Sequence, residues 1–214
     1  TCGVFLEIIT NPQMEVADLA ELSGITHEKG VPLIADTTII PFSIFHAIDF
    51  GVDIEVVAST KYISGGATSL GGLIIDYGRF NQYRTPALRA LKGTSQSPFH
   101  TRLRKEVHRN LGAYMTPDVA YQQSLGLETL QLRFERQAAV CKELAGKLKT
   151  LPAIKTVNYT GLEDNPFYEI SKKQFGDYPG AMLTFDLESR EECYRFINKL
   201  KLIRRATNLF DNHA

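Results

Sequence analysis

The chain reads as an α/β fold, a mostly parallel sheet with helices on both faces, joined by a long helix to a small α+β C-terminal domain. Three observations predict it. Short apolar runs alternate with helical segments at the start, one long amphipathic helix follows Gly126-Leu127, and the alternation stops beyond Ile154. The division this implies is a large domain over residues 1–124, then the linking helix and C-terminal domain over residues 125–214.

Val4 to Ile9 is an apolar run, and Thr10-Asn11-Pro12 is a turn signal. Met14 to Glu28 reads as a helix with Val16, Leu19, Ala20 and Leu22 on one face, ended by Gly30. Val31 to Ala35 is a short buried strand that ends at Asp36. Phe42 to Phe50 is a short helix stopped by Gly51, and Asp53 to Val57 and Leu70 to Ile75 are strands. Arg79 to Ser97 is polar and holds Pro86 and Gly93, an exposed excursion. Leu127, Leu130, Phe134, Ala138, Cys141, Leu144 and Leu148 recur every three or four residues, and Leu151-Pro152 ends that helix. Ile154 to Tyr159 and Ala181 to Leu187 are strands, and Arg190 to Leu200 is a helix.

Composition narrows the function. Lys+Arg and Asp+Glu are equal at 24 each, so no global field steers the chain toward nucleic acid or an acidic membrane. The basic cluster Arg102, Arg104, Lys105, His108 and Arg109 lacks interleaved aromatics and reads as a solvated helix face. No apolar run approaches the roughly 18 residues that span a bilayer. Cys2, Cys141 and Cys193 are odd in number, far apart and without a C-x-x-C, the usage of a reduced protein, so a cytoplasmic location is expected. The histidines show no metal-ligand spacing, and no metal site is expected. The chain opens on Thr1 inside a strand-like run and stops at Asn212-His213-Ala214 without a helix stop, so it is expected to be an internal stretch of a longer protein.

The informative pair is Lys61 and Asp36. Each follows or closes a buried strand, and in parallel sheets the loops beyond the strands' carboxyl ends build the site. An amine and an acid at the ends of neighbouring strands suit a pyridoxal ring. Lys61 would form the Schiff base, and Asp36 would keep the ring nitrogen protonated so that the ring acts as an electron sink. Ser59, Thr60 and the turn Ser64-Gly65-Gly66-Ala67-Thr68-Ser69 supply the hydroxyls and backbone N–H groups that a phosphate needs. Each residue also has a plain reading: Lys61 a solvated surface lysine, Asp36 a helix cap, Asn11 a turn residue and the glycines a tight turn.

Five segments occur in order: Glu7-Ile8-Ile9-Thr10-Asn11-Pro12, Asp36-Thr37-Thr38, Ser59-Thr60-Lys61-Tyr62, Thr68-Ser69-Leu70-Gly71-Gly72 and Gly126-Leu127-Glu128-Thr129-Leu130. Together they resemble the Cys/Met-metabolism pyridoxal-phosphate enzymes of fold type I. The resemblance implies that the two parts are a partial large domain and a partial C-terminal domain of that fold. It implies pyridoxal 5'-phosphate as cofactor, Lys61 as its aldimine lysine, Asp36 on the ring nitrogen and Asn11 near the phenolic oxygen. Thr60, with Ser59 beside it, would take the phosphate. The family usually carries a hydroxyl where this chain has Ala58, and G-G-H-G where it has Ser64-Gly65-Gly66-Ala67.

Leu103-Arg104-Lys105-Glu106 through Asn110-Leu111-Gly112-Ala113 resembles the sulfhydrylase branch, and Arg205-Ala206-Thr207-Asn208-Leu209 is similar to a substrate-side segment. Asn208 there favours an O-acetylhomoserine sulfhydrylase over the lyases, which often carry Ser. The implied reaction is γ-replacement on an O-acyl-homoserine by a sulfur donor, sulfide or a sulfur-carrier protein, giving homocysteine. The implied assembly is a homotetramer built as a dimer of dimers. The alternatives are a methionine γ-lyase, a cystathionine γ-synthase or lyase, and a degenerate module that keeps the fold for protein interaction.

Overall fold

The sheet that carries the site has its strands in chain order, β1 (Val4–Glu7), β2 (Leu33–Asp36), β3 (Ile54–Val57) and β4 (Leu73–Asp76). The computed structural model describes residues 1–91, 97–203, 205–206 and 208–210. The first three strands are parallel, with Val4 opposite Leu33 and Asp36 opposite Val56. β4 is antiparallel to β3, Leu73 facing Val57. The mostly parallel sheet is therefore present, with one reversed strand.

α1 (Leu19–Lys29) supplies the crossover from β1 to β2. It starts five residues later than the expected helix from Met14. Met14 has a left-handed φ of 60°, Ile9 and Val16 form a bridge, and Asp18 takes the N-cap by accepting the Glu21 N–H. Gly30, at φ 64°, closes the helix in the conformation that glycine adopts without steric cost. The expected helix over Phe42–Phe50 shrinks to a single 3-10 turn, Ala47–Phe50. His46 before it is extended, with φ −98° and ψ 93°, and breaks the helical run.

The expected excursion after β4 holds a 3-10 turn, Gln82–Arg84, and α2 (Pro86–Arg89); its Lys92–Gln96 portion lies outside the described residues. α3 (Pro98–Arg102) and α4 (Arg109–Leu111) flank a π-helical stretch, Leu103–His108. The basic cluster rides on this stretch, and Arg102 pairs with Glu106 one turn along.

The long helix expected after Gly126-Leu127 is present, and a second helix that the apolar spacing does not announce precedes it. α5 (Pro117–Leu127) begins with Thr116 as N-cap and Pro117 at its first position; α6 (Leu130–Lys149) follows a short break. Along α6 the 3.6-residue period works as read. Leu130, Phe134, Ala138, Cys141 and Ala145 are buried, whereas Leu127 and Leu144 are largely exposed. β5 (Thr156–Asn158), α7 (Tyr168–Phe175), β6 (Thr184–Asp186) and α8 (Arg190–Lys199) complete the chain, with β5 and β6 an antiparallel pair.

Phe134 joins the main core, where Leu33, Ile40, Phe45 and Phe175 also sit, so α6 is seated against the residues that follow the sheet. Lower on α6, Cys141 and Ala145 pack with Tyr159 in a second cluster. Burial there pushes the Cys141 thiol from 9.0 up to about 12. A raised pKa in the folded state means that stability is full below the unfolded pKa and is lost as pH climbs through the folded one. Between pH 9 and 12 this one group withdraws at most ~4 kcal/mol. Urea unfolding at pH 7 and pH 10.5 is expected to show a smaller alkaline loss in Cys141→Ala than in the unaltered protein.

Candidate active site at the strand ends

Because β1, β2 and β3 run parallel, their carboxyl ends deliver Asn11, Asp36 and Lys61 to one side of the sheet. All three line one cavity of about 220 Å³. Thr38 adds to its polar side, and Met182 and Phe210 form part of an apolar wall.

The strand-end loops are tied together by their own side chains. The Thr38 N–H donates to Asp36 Oδ1 at 2.9 Å, and the Ala58 N–H donates to Thr38 Oγ1 at 2.8 Å. This bridges the loop after β2 to the loop after β3 and fixes one carboxylate oxygen of Asp36. Next to it Thr37 is buried and donates to Glu55 Oε1 at 2.5 Å; the Tyr77 hydroxyl donates to Glu55 Oε2. Burial and the Glu55 carboxylate push the Tyr77 phenol well above its usual range. At the end of β1 the Asn11 N–H donates to Glu7 Oε2 at 3.0 Å, and the Asn11–Pro12 peptide is cis.

Lys61 is half-buried, and its Nζ donates to Asn208 Oδ1 at 2.6 Å, a contact spanning 147 residues. Asn208 thus reaches the lysine end of the cavity. Its neighbour Thr207 lies outside the described residues. Ser59 and Thr60 are placed differently. Ser59 is fully buried, and its Oγ has no hydrogen-bond partner among the described residues. The Thr60 Oγ1 donates to the Gly71 carbonyl at 3.2 Å and accepts the Gly71 N–H at 3.0 Å. That pair of bonds clips the exit of β3 to the entry of β4.

Sequence reading did not single out Met182 or Phe210. Met182 sits in a strand-like apolar run that nothing marks as a site. Phe210 has a left-handed φ of 64° and stacks on Tyr62 at 4.5 Å, a long-range contact with no local signal. Among the described residues no group of three His, Cys, Asp or Glu is placed to hold a metal ion. No described helix is long and apolar enough to cross a membrane.

The donor set fits a pyridoxal group. An aldehyde needs an amine, a pyridine nitrogen needs a carboxylate, and a flat ring needs an apolar surface; Lys61, Asp36 and the Phe210 side of the cavity supply these in one space.

The comparisons agree with that chemistry. The family of the Cys/Met metabolism PLP-dependent enzyme matches residues 1–213. The fold is similar to that of an O-acetylhomoserine sulfhydrylase from Wolinella succinogenes, with TM-score 0.89 and 50% identity, covering 99% of this chain and 61% of that one. It is similar too to a putative O-acetylhomoserine (thiol)-lyase from Campylobacter jejuni, with TM-score 0.91 and 30% identity over 99% and 56% of the two chains. A sulfhydrylase from Fusarium oxysporum is 33% identical over 227 residues, 99% of this chain and 52% of its own length. The chain spans about half the length of the curated relatives that it matches. By its sequence throughout and by its fold, the chain belongs to the Cys/Met metabolism PLP-dependent enzyme family.

Proposed function

We propose that the protein holds pyridoxal 5'-phosphate on Lys61 and replaces the γ-acyloxy group of an O-acyl-homoserine with sulfur, forming homocysteine. The observation that carries this reading is the shared cavity of Lys61 and Asp36, an amine and a carboxylate at neighbouring strand ends. The similarity to proteins described as O-acetylhomoserine sulfhydrylases supports the substrate class. The Campylobacter structure contains a pyridoxyl-lysine monophosphate, which supports a lysine attachment.

When bound, the cofactor supplies an electron sink for charge that develops at the substrate's α-carbon. The residues of this chain do the rest. Asp36, with one oxygen fixed by the Thr38 N–H, keeps the ring nitrogen protonated. Lys61 would be the base that takes the α-proton, and Asn208, which accepts its hydrogen bond, would orient it from the substrate side. Asn11, which lines the same cavity, would lie near the ring oxygen. Thr60 would hold the phosphate with its hydroxyl, which in this structure donates to the Gly71 carbonyl and accepts the Gly71 N–H. The overall exchange is balanced: acetate leaves with the γ-C–O electrons, and hydrosulfide forms the new γ-C–S bond. The sulfur source is sulfide or a carrier protein's thiocarboxylate, and the working assembly is a tetramer of paired dimers.

Incubating the purified protein with O-acetylhomoserine and sulfide, cysteine or no nucleophile tests the assignment. Homocysteine formed only with sulfide is the expected result. α-Ketobutyrate released without any thiol would move the assignment to a γ-lyase, and cystathionine formed with cysteine would move it to a γ-synthase. Absence of saturable pyridoxal phosphate binding would leave the degenerate interaction module.

A further inference from the structure

We infer that Arg133 is the positioning residue that holds the Lys61 loop in register with Asp36. The inference rests on the cofactor reading above and deepens it. Arg133 lies on α6 and is not among the residues that line the cavity. Its Nη2 donates to the Tyr62 carbonyl at 2.8 Å and to the Gly126 carbonyl at 2.8 Å, while its Nε donates to Thr129 Oγ1 at 3.0 Å. One planar fork therefore joins the residue after Lys61 to the α5–α6 junction. Lysine can copy this only in part, because a single ammonium lacks the fixed geometry of the guanidinium.

The loop that Arg133 grips is also pressed against that junction. A Cβ built on Gly126 would lie 2.0 Å from the Ile63 carbonyl oxygen, and one on Gly65 would lie 3.1 Å from Gly126 Cα. Backbone meets backbone there, so the loop has no slack on the α5 side. Tyr62 is 2% exposed, its ring stacked on Phe210 and set edge-on to Phe134 at 5.2 Å. Partial burial lowers the Arg133 pKa from its usual value, the mark of a guanidinium partly withdrawn from water, where charge-assisted bonds to carbonyls are strong. Lys61 is thus held from both sides, by the Thr60–Gly71 clip before it and by Arg133 through Tyr62 after it. Releasing the second tether lets the backbone at residue 61 move relative to Asp36, and a misplacement of about 1 Å costs on the order of 100-fold in rate.

The test uses the purified, pyridoxal-phosphate-loaded protein and three variants: Arg133→Met, Arg133→Lys and Gly126→Ala. Three quantities are read: the pH midpoint of the bound cofactor's visible absorbance, the rate of borohydride fixation to Lys61, and kcat and KM separately. In Arg133→Met, kcat is expected to fall roughly 10- to 100-fold with KM little changed, and the absorbance midpoint to move. Arg133→Lys should recover part of both. Gly126→Ala, which displaces the same loop without altering a charge, should shift the midpoint in the same sense. A folded Arg133→Met with unaltered midpoint, fixation rate and kcat overturns the proposal, as does a loss confined to KM. Unfolding of both Arg133 variants would make the residue purely structural and overturns it too. Absence of fixation in the unaltered protein sinks the cofactor reading as well, which separates the two failures.

Discussion

Lys61→Ala is expected to leave a folded protein that borohydride cannot label: after reduction and digestion, no pyridoxyl peptide covers residue 61. The fold should survive because the Lys61 side chain is only half-buried and its hydrogen bond goes to Asn208, a loss of about 1 kcal/mol. Turnover should fall by at least ~10²–10⁴-fold, the share that one positioned acid–base group contributes. Covalent attachment is lost in addition. Labelling of Lys61→Ala at the level of the unaltered protein would place the attachment on another amine and end the assignment. Adding back a small primary amine gives a second reading, since partial recovery of turnover would mark the missing group as the amine itself.

Phe134→Ala should carry the largest cost to stability, about 3–5 kcal/mol. Phe134 is fully buried, meets Tyr62 edge-on at 5.2 Å and lies 6.3 Å from the Tyr178 ring. Truncation opens a cavity between α6 and the core into which none of these rigid rings can collapse, so the upper part of that range applies. Urea unfolding followed by circular dichroism measures it. A cost under about 1 kcal/mol would mean that α6 is not seated on the core that includes Leu33 and Phe175.

The strand ends were legible because they depend on local chemistry. Asp36 closes a short apolar run, Lys61 follows another, and a parallel sheet needs only those two facts to bring them to one side. The buried stripe of α6 was legible for the same reason, its period being internal to the helix. The start of α1 was misread: apolar spacing alone extended it back to Met14, although Asp18 three residues before Glu21 is a readable cap. Thr116-Pro117 is a start signal of equal quality for α5. Arg133 and Phe210 were beyond reach in a different way. Arg133 reaches back 71 positions to the Tyr62 carbonyl, and Phe210 stacks on the Tyr62 ring, so nothing in their sequence neighbourhoods announces them. Asn208 was found only through family resemblance, and its bond to Lys61 is a tertiary fact of the same kind.

The reversed direction of β4 has a practical result. The chain leaves β3 and re-enters the sheet at the same edge, and residues 60 and 71 knot that excursion shut. Leu70, 79% exposed on that excursion, can change its side chain without disturbing the register set by Val57 opposite Leu73. That position is a natural place for a spectroscopic reporter a short span from Lys61.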